Sequence, residues 1–234
     1  MIYVISDLHG FPFGKFRELL QSAGFSDADQ LYVLGDVVDR GADGVEYLLW
    51  LKEQSNAELI LGNHEAMMRK CDFLFAPNAL ELMKKLDNEQ RVSLSIWMSN
   101  GAEETVRGLF SRGAEERGEL LGYLSGLALY REISAGERRF LLVHSGLRDF
   151  APQKTLDDYS ETDMIWNRPV LTDRYFDDRL TVFGHTPTFF YGEEHKGKII
   201  TTDTWLDIDV GVGYGNPPVL LRLDDMKQFG LSVR

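Results

Sequence analysis

Short apolar runs alternate with segments of helical periodicity in the first part of the chain. The apolar runs predict strands over residues 2–5, 31–34 and 58–61. Apolar residues at helical spacing predict helices over 13–23 and 45–54, with a third helix from about residue 65 onward. Because strands that alternate with helices are typical of βαβ units, this part of the chain predicts an α/β fold with parallel strands.

The pattern changes in the middle of the chain. From about residue 78 to residue 127 it is helical throughout, and apolar residues such as Met83 and Trp97 are expected to pack in a core. Strands then return, at 129–133, 140–143, 180–183, 198–202, 206–210 and 219–223. The late strands indicate a second, mixed sheet, and no linker-like tract interrupts the sequence. We therefore predict a single domain over 1–234, with a helical insertion at about 78–127.

Composition narrows the class of protein. The chain has 234 residues, 44% of them hydrophobic, with one cysteine, so an intramolecular disulfide is excluded. The start of the chain lacks the pattern of a signal peptide, and no apolar run is long enough to span a bilayer. We expect a cytoplasmic protein that does not act at a membrane. The formal net charge of -12 argues against a nucleic-acid partner and is compatible with a cation-binding centre.

A polar pattern recurs where five of the predicted strands end. Each apolar run leads into Asp, His or Asn beside a glycine, in the segments Asp7-Leu8-His9-Gly10, Gly35-Asp36, Gly62-Asn63-His64-Glu65, His144-Ser145-Gly146 and Gly184-His185. Four of the five histidines lie in these segments, whereas His195 lies in a polar turn and is assigned no chemistry. In an open α/β sheet the carboxyl ends of the strands form the ligand-binding crevice. These side chains are therefore expected to meet at one rim.

The residue types suit a centre of two divalent metal ions. Neutral imidazole, carboxylate and amide oxygen are ligands for Mn, Fe, Zn or Ni. Asp36 could bridge two ions, and the remaining predicted ligands are Asp7 and His9 for one ion and Asn63, His144 and His185 for the other. Two ions about 3.5–4 Å apart can activate a shared water as hydroxide for attack at phosphorus.

Three further residues complete the predicted chemistry. His64 is left free to act as a general acid, and Asp39, three residues after Asp36, could hold its imidazole in the required tautomer. Arg40 offers a planar guanidinium that fits phosphoryl oxygens.

These motifs resemble those of the calcineurin-like metallophosphoesterases, and in particular the small bacterial and phage members of the phosphoprotein phosphatase family. The resemblance runs from Asp7 to Thr186. It implies a four-layer α/β/β/α sandwich of two mixed sheets. It also implies that Arg168, in Trp166-Asn167-Arg168, binds the substrate phosphate together with Arg40 and Asn63.

Two positions refine the expected activity. Many nuclease and phosphodiesterase branches of the superfamily end in Gly-His-x-His, but this chain has Pro187 at the last position, which favours phosphomonoester or phosphoanhydride hydrolysis. Tyr214 lies in a segment that resembles the late strand of the family, where a tyrosine can lie near the site. A packed or surface tyrosine is the alternative.

The sequence therefore predicts a metal-dependent phosphoesterase, and it ranks a serine/threonine protein phosphatase first. The alternative is a symmetrical dinucleoside tetraphosphate hydrolase, since a related branch of the superfamily has the same metal motifs. A phosphodiesterase and a non-catalytic phospho-binding scaffold rank lower. The expected cofactor is a pair of Mn²⁺ ions, with Fe and Zn as alternatives. The expected partner is a phosphorylated protein or a small phosphorylated substrate.

Overall fold

A computed structural model describes residues 1–231, and two five-stranded sheets form the centre of this part of the chain. The first sheet has, in spatial order, the strands β10 (Lys227–Gly230), β9 (Val219–Arg222), β1 (Ile2–Ile5), β2 (Gln30–Val33) and β3 (Ala57–Leu59). The second sheet has the strands β4 (Tyr130–Ala135), β5 (Arg138–Val143), β6 (Leu180–Phe183), β8 (Trp205–Asp207) and β7 (Ile200–Thr201).

Both sheets are mixed. In the first, β1, β2 and β3 run parallel, β9 pairs antiparallel to β1, and the edge strand β10 pairs antiparallel to β9. In the second, β5, β6 and β8 run parallel, and the edge strands β4 and β7 are antiparallel to their neighbours. Each sheet therefore contains three adjacent parallel strands, and the polar segments identified in the sequence follow strands of these two sets.

Alternation along the strands divides the core into three layers. On β1, Tyr3 and Ile5 pack with the helices, whereas Val4 packs between the two sheets. On β5, Leu142 faces the space between the sheets and Leu141 faces the opposite side. Because successive side chains of a strand point to opposite faces, each sheet is buried on both sides. The predicted sandwich of two mixed sheets with flanking helices is confirmed.

The helices occupy most of the remaining sequence. Their bounds are α1 (Phe13–Ser22), α2 (Gly44–Glu53), α3 (Asn63–Lys70), α4 (Ala79–Leu82), α5 (Asn88–Ser99), α6 (Glu103–Phe110), α7 (Ala114–Ser125) and α8 (Glu161–Ile165). The segment from α4 to α7 is helical, as the sequence predicts for 78–127. None of the helices in the described residues combines the length and the apolar character needed to cross a membrane.

The structure differs from the sequence predictions at several positions. Strand β10 was missed because it is a polar edge strand, and α3 begins at Asn63, two residues earlier than expected. The prediction that Met83 is a core residue is wrong, since 37% of it is exposed, whereas Trp97 is fully buried as predicted. Other apolar residues of the insertion, Leu80, Val92 and Ile96, are also exposed. Helical spacing shows which apolar residues share one face of a helix, but it does not show whether another element packs against that face.

Candidate metal centre

The predicted metal ligands and His64 lie just after the carboxyl ends of parallel strands of both sheets. Asp7 and His9 follow β1, Asp36 follows β2, and Asn63 and His64 open α3 just after β3. From the second sheet, His144 follows β5 and His185 follows β6. All seven side chains are buried to 6% exposure or less. The two sheets therefore contribute to one polar centre in the interior.

The backbone around this centre is unusual. Among the described residues, eight non-glycine residues have positive φ, and six of them lie at the site: Asp7, His9, Asp36, Asp39, Arg40 and His185. A left-handed conformation costs a residue with a Cβ roughly 1–2 kcal/mol. Such conformations persist only where the surrounding structure fixes them, and they concentrate at functional sites.

Asp36 lies between two groups of candidate ligands. Its Oδ2 is 3.8 Å from His9 Nε2, and its Oδ1 is 3.5 Å from His144 Nε2. Two sets of donor atoms lie within 4.8 Å of one another, His9 with Asp36 and His64, and Asp36 with His144 and His185. Asp36 belongs to both sets, so its carboxylate could hold two ions at once.

The histidines are oriented so that one ring nitrogen faces this centre. His9 Nδ1 is 3.1 Å from the Val38 carbonyl and His144 Nδ1 is 2.6 Å from the Leu34 carbonyl, which leaves each Nε2 on the centre side. His185 Nε2 is buried and has no hydrogen-bond partner among residues 1–231. A hydrogen bond at one nitrogen fixes the tautomer that presents the other to a metal. The donor set therefore fits divalent cations.

Asp7 and Asn63 bind neighbours at the same centre. Asp7 Oδ2 accepts a hydrogen bond from the Ser6 hydroxyl and one from the His185 backbone N–H at 3.0 Å. Asn63 Oδ1 is 2.9 Å from His144 Nε2. Asp7 thus joins the two sheets, and Asn63 Oδ1 faces the nitrogen that His144 would present to a metal.

Burial controls the protonation of these groups. It lowers the pKa of His9 and of His185 well below the usual value, with nearby cationic groups adding to the effect. The neutral imidazole that results is the form that binds metals. Burial raises the pKa of Asp36 well above its usual value. Cations held against Asp36 would favour its ionised form.

His64 has a different environment from the other histidines. Its Nδ1 donates to Asp39 Oδ2 at 2.6 Å, and its Nε2 lies 3.4 Å from the Arg40 guanidinium and 3.8 Å from Asp36 Oδ2. Burial opposes protonation of His64, but the carboxylates of Asp36 and Asp39 outweigh it and raise the pKa of the imidazole. The pKa of His64 is therefore shifted in the opposite direction from those of His9 and His185.

Glu65, to which the sequence analysis assigned no role, organises the loop after β2. Its Oε2 accepts the N–H of Asp36 at 2.8 Å and that of Gly62 at 3.2 Å, and its Oε1 accepts the N–H of Val37 at 2.8 Å. Charged acceptors make the stronger hydrogen bonds. The buried carboxylate of Glu65 thus fixes the segment that presents Asp36.

A polar cavity of about 50 Å³ opens from the centre. Its lining includes the predicted phosphate ligands Arg40, Asn63 and Arg168, and also Asn100, Trp166, Pro187, Asp209 and Tyr214. The structure thus brings every predicted site residue to one region. Asn100, Trp166 and Asp209 were not predicted as site residues, and their only signal in the sequence was proximity to an apolar or glycine-containing segment.

Comparison with known proteins agrees with this geometry. The model of a family described as calcineurin-like phosphoesterase matches residues 1–209. A protein of Actinobacillus pleuropneumoniae serotype 3, named symmetrical bis(5'-nucleosyl)-tetraphosphatase, is 32% identical over 147 residues, which cover 62% of this chain and 44% of that protein. One of the same name from Haemophilus ducreyi is 28% identical, covering 79% of this chain and 58% of that protein. The chain spans about half the length of these relatives.

Solved structures share the fold at low sequence identity. A candidate diadenosine tetraphosphatase superposes with a TM-score of 0.64 and 17% identity, covering 98% of this chain and 92% of that one. A serine/threonine phosphatase of Saccharomyces cerevisiae superposes with a TM-score of 0.57 and 16% identity, covering 100% of this chain and 80% of that one. At this identity the likeness shows the fold alone.

Proposed function

The chain belongs to the calcineurin-like phosphoesterase family, and within that family we propose that it hydrolyses dinucleoside tetraphosphates symmetrically. The sequence motifs alone rank a serine/threonine protein phosphatase first. The names of the relatives from Actinobacillus and Haemophilus support ranking the dinucleoside tetraphosphate hydrolase above the protein phosphatase. The mouth of the cavity supports it as well.

Two arginine–aromatic pairs carry this proposal. The Arg40 guanidinium carbon lies 5.2 Å from the ring centroid of Tyr214, and that of Arg168 lies 5.7 Å from the ring of Phe190. Tyr214 is 57% exposed and Phe190 is 55% exposed. Phe189 packs edge-on against both rings, with centroids 5.2 Å and 4.8 Å away. Phe189, Phe190 and Tyr214, here called the aromatic cluster, therefore lie next to the predicted phosphate-binding groups.

This arrangement suits a nucleotide better than a phosphorylated serine or threonine. A nucleotide joins an anionic phosphate chain to a flat base, so it needs cationic groups and an aromatic surface side by side. Base–aromatic stacking contributes about 1–3 kcal/mol per base. The aliphatic side chain of phosphoserine or phosphothreonine offers no ring to such a surface. The aromatic cluster would be without use in recognising the phosphorylated residue itself.

The reaction would use the residues as follows. Two divalent cations held by the ligand set, for which we expect Mn²⁺, would supply an activated water and neutralise phosphate charge. Arg40, Arg168 and Asn63 would hold the phosphate oxygens. The water oxygen forms a bond to one of the two central phosphorus atoms, and the bond from that phosphorus to the central bridging oxygen breaks. His64 gives a proton to the departing oxygen, so that one tetraphosphate and one water yield two nucleoside diphosphates.

A substrate comparison tests the proposal. Metal-stripped protein reloaded with Mn²⁺ is assayed on diadenosine tetraphosphate, a phosphothreonine peptide and bis-p-nitrophenyl phosphate. We expect kcat/KM for the dinucleotide to exceed that for the peptide by about 10-fold or more, because stacking adds to binding. Chromatography should find ADP as the sole nucleotide product. A preference for the peptide would restore the protein-phosphatase interpretation, and formation of AMP with ATP would exclude symmetrical cleavage.

Substitution of the aromatic cluster tests its part separately. We expect Tyr214→Leu and Phe190→Leu to raise KM for the dinucleotide by about 5- to 150-fold in combination, the equivalent of one lost stacking contact. The rate on p-nitrophenyl phosphate at saturation should be unchanged. Tyr214→Phe keeps the ring and is the matched control, with an unchanged KM. An equal KM for all variants would remove the aromatic cluster from substrate binding.

A further inference from the structure

The helical insertion reaches the candidate centre through α5. Trp97 lies near the end of this helix and is fully buried. Its indole Nε1 donates a hydrogen bond to Asp39 Oδ2 at 2.8 Å. A buried indole N–H needs an acceptor, and here that acceptor belongs to the segment that follows β2. The insertion is thereby connected to the centre by a specific polar contact as well as by apolar packing.

Trp97 and His64 bind the same oxygen of Asp39. Asp39 Oδ2 accepts from His64 Nδ1 at 2.6 Å and from Trp97 Nε1 at 2.8 Å, while Asp39 Oδ1 has no hydrogen-bond partner among residues 1–231. The carboxylate rotates about a single bond, so one hydrogen bond alone would leave its plane poorly fixed. With donors from two elements on one oxygen, the orientation of the carboxylate and of the imidazole is determined together.

The insertion also fixes the backbone of the same segment. The N–H of Asp39 donates to Thr105 Oγ1 at 2.8 Å, and the N–H of Arg40 donates to the Gly101 carbonyl at 2.8 Å. Asp39 and Arg40 have φ of 71° and 68°, which is disfavoured for residues with a Cβ. A Cβ on Gly101, whose own φ is 95°, would come within 3.0 Å of the Arg40 side chain. The close packing of Gly101 against Arg40 therefore helps to hold the strained backbone of Asp39 and Arg40.

We propose that the helical insertion is a positioning element of the active site and that Trp97 is its main positioning residue. Trp97 acts through the Asp39 carboxylate and directs Nε2 of His64 towards the departing oxygen of the substrate. Thr105 and Gly101 hold the backbone that carries Asp39 and Arg40. This inference does not depend on which phosphoester is the natural substrate, since any leaving oxygen requires the same alignment.

The substitution Trp97→Phe tests the inference by its dependence on the leaving group. Phenolate is a poorer leaving group than p-nitrophenolate and depends more on proton transfer. We expect kcat on phenyl phosphate to fall about 10- to 100-fold, a part of the general-acid effect. The fall on p-nitrophenyl phosphate should be clearly smaller, and KM and metal content should be unchanged. Equal losses on the two esters, or no loss on either, would overturn the inference.

Further variants separate positioning from structural support. Trp205→Phe is the matched control, because Trp205 is also fully buried and donates its indole N–H to the Asp173 carbonyl at 2.9 Å. It should leave the ratio of the two kcat values unchanged. In a His64→Asn background, Trp97→Phe should cause no further loss, whereas an undiminished loss there would overturn the inference. Thr105→Val removes the acceptor of the Asp39 N–H with little change of shape. Thr105→Val should lower kcat on phenyl phosphate more than kcat on p-nitrophenyl phosphate. This second variant keeps the inference testable if Trp97→Phe fails to fold.

Discussion

Replacing Asp36 by asparagine is expected to abolish nearly all activity and to empty at least one metal position. Asparagine has the same size, but it replaces one carboxylate oxygen by an NH₂ group that cannot bind a cation. It also removes a negative charge that both candidate ligand sets share. Loss of a group that only hydrogen-bonds to a ligand already costs about 10- to 100-fold in metal affinity or activity, so we expect kcat/KM to fall by at least about 10³-fold.

Elemental analysis and steady-state kinetics on the same preparations measure this effect. Asp149→Asn is the matched control, because Asp149 is an exposed aspartate with a similar left-handed backbone, φ 50° against 55° for Asp36. The control should keep full activity and metal content. If Asp36→Asn bound two equivalents of metal and turned over normally, the bridging role of Asp36 would be wrong.

Replacing His64 by asparagine is expected to reduce kcat while leaving the metals in place. The imidazole binds Asp39, and its pKa is raised by the carboxylates of Asp36 and Asp39, although burial opposes this. A protonated His64 could therefore give its proton to the departing oxygen. Loss of a general acid typically costs about 10²–10⁴-fold in rate. We expect a loss in this range on the dinucleotide, with KM changed much less.

The metal content of the His64 variant distinguishes two roles for this residue. His64 Nε2 lies with His9 and Asp36 in one of the two candidate ligand sets, so its position also fits a metal ligand. Two equivalents of metal in His64→Asn, together with the loss of kcat, would support the acid. Loss of an equivalent would make His64 a ligand instead. His195→Asn, at a half-buried histidine in a polar turn, is the control and should leave both quantities unchanged.

The apolar pattern was sufficient to predict an α/β fold with two sheets, because its main strands are dense apolar runs with clear ends. The packing of those sheets as a sandwich came from the family resemblance. Strands β1, β2, β5 and β6 were placed within two residues, since polar residues and glycine stop each run at the rim. The edge strand β10 is largely polar, so no apolar run marks it in the sequence and it was not predicted. The exposure of Val92 and Ile96 could not be predicted either, because periodicity does not tell which face of a helix is covered.

The predicted site residues shared a local signal that the supporting residues lack. Asp7, Asp36 and His185 each stand beside a glycine or serine just after a strand. Trp97 binds a partner 58 positions away and looks in the sequence like any core residue of an amphipathic helix. Glu65 likewise accepts a hydrogen bond from the backbone of Asp36, 29 positions earlier in the chain. Contacts of this kind depend on the packing of separate elements, which local pattern does not specify.

The hydrogen bond from the His185 backbone to Asp7 joins residues 178 positions apart and belongs to the candidate metal centre. Its two halves come from different sheets, so the centre cannot be completed until both sheets have formed and packed together. During synthesis on the ribosome, the first ligands emerge long before the last. The early segments alone lack the geometry to retain a cation tightly, so we expect metal binding to follow the packing of the two sheets.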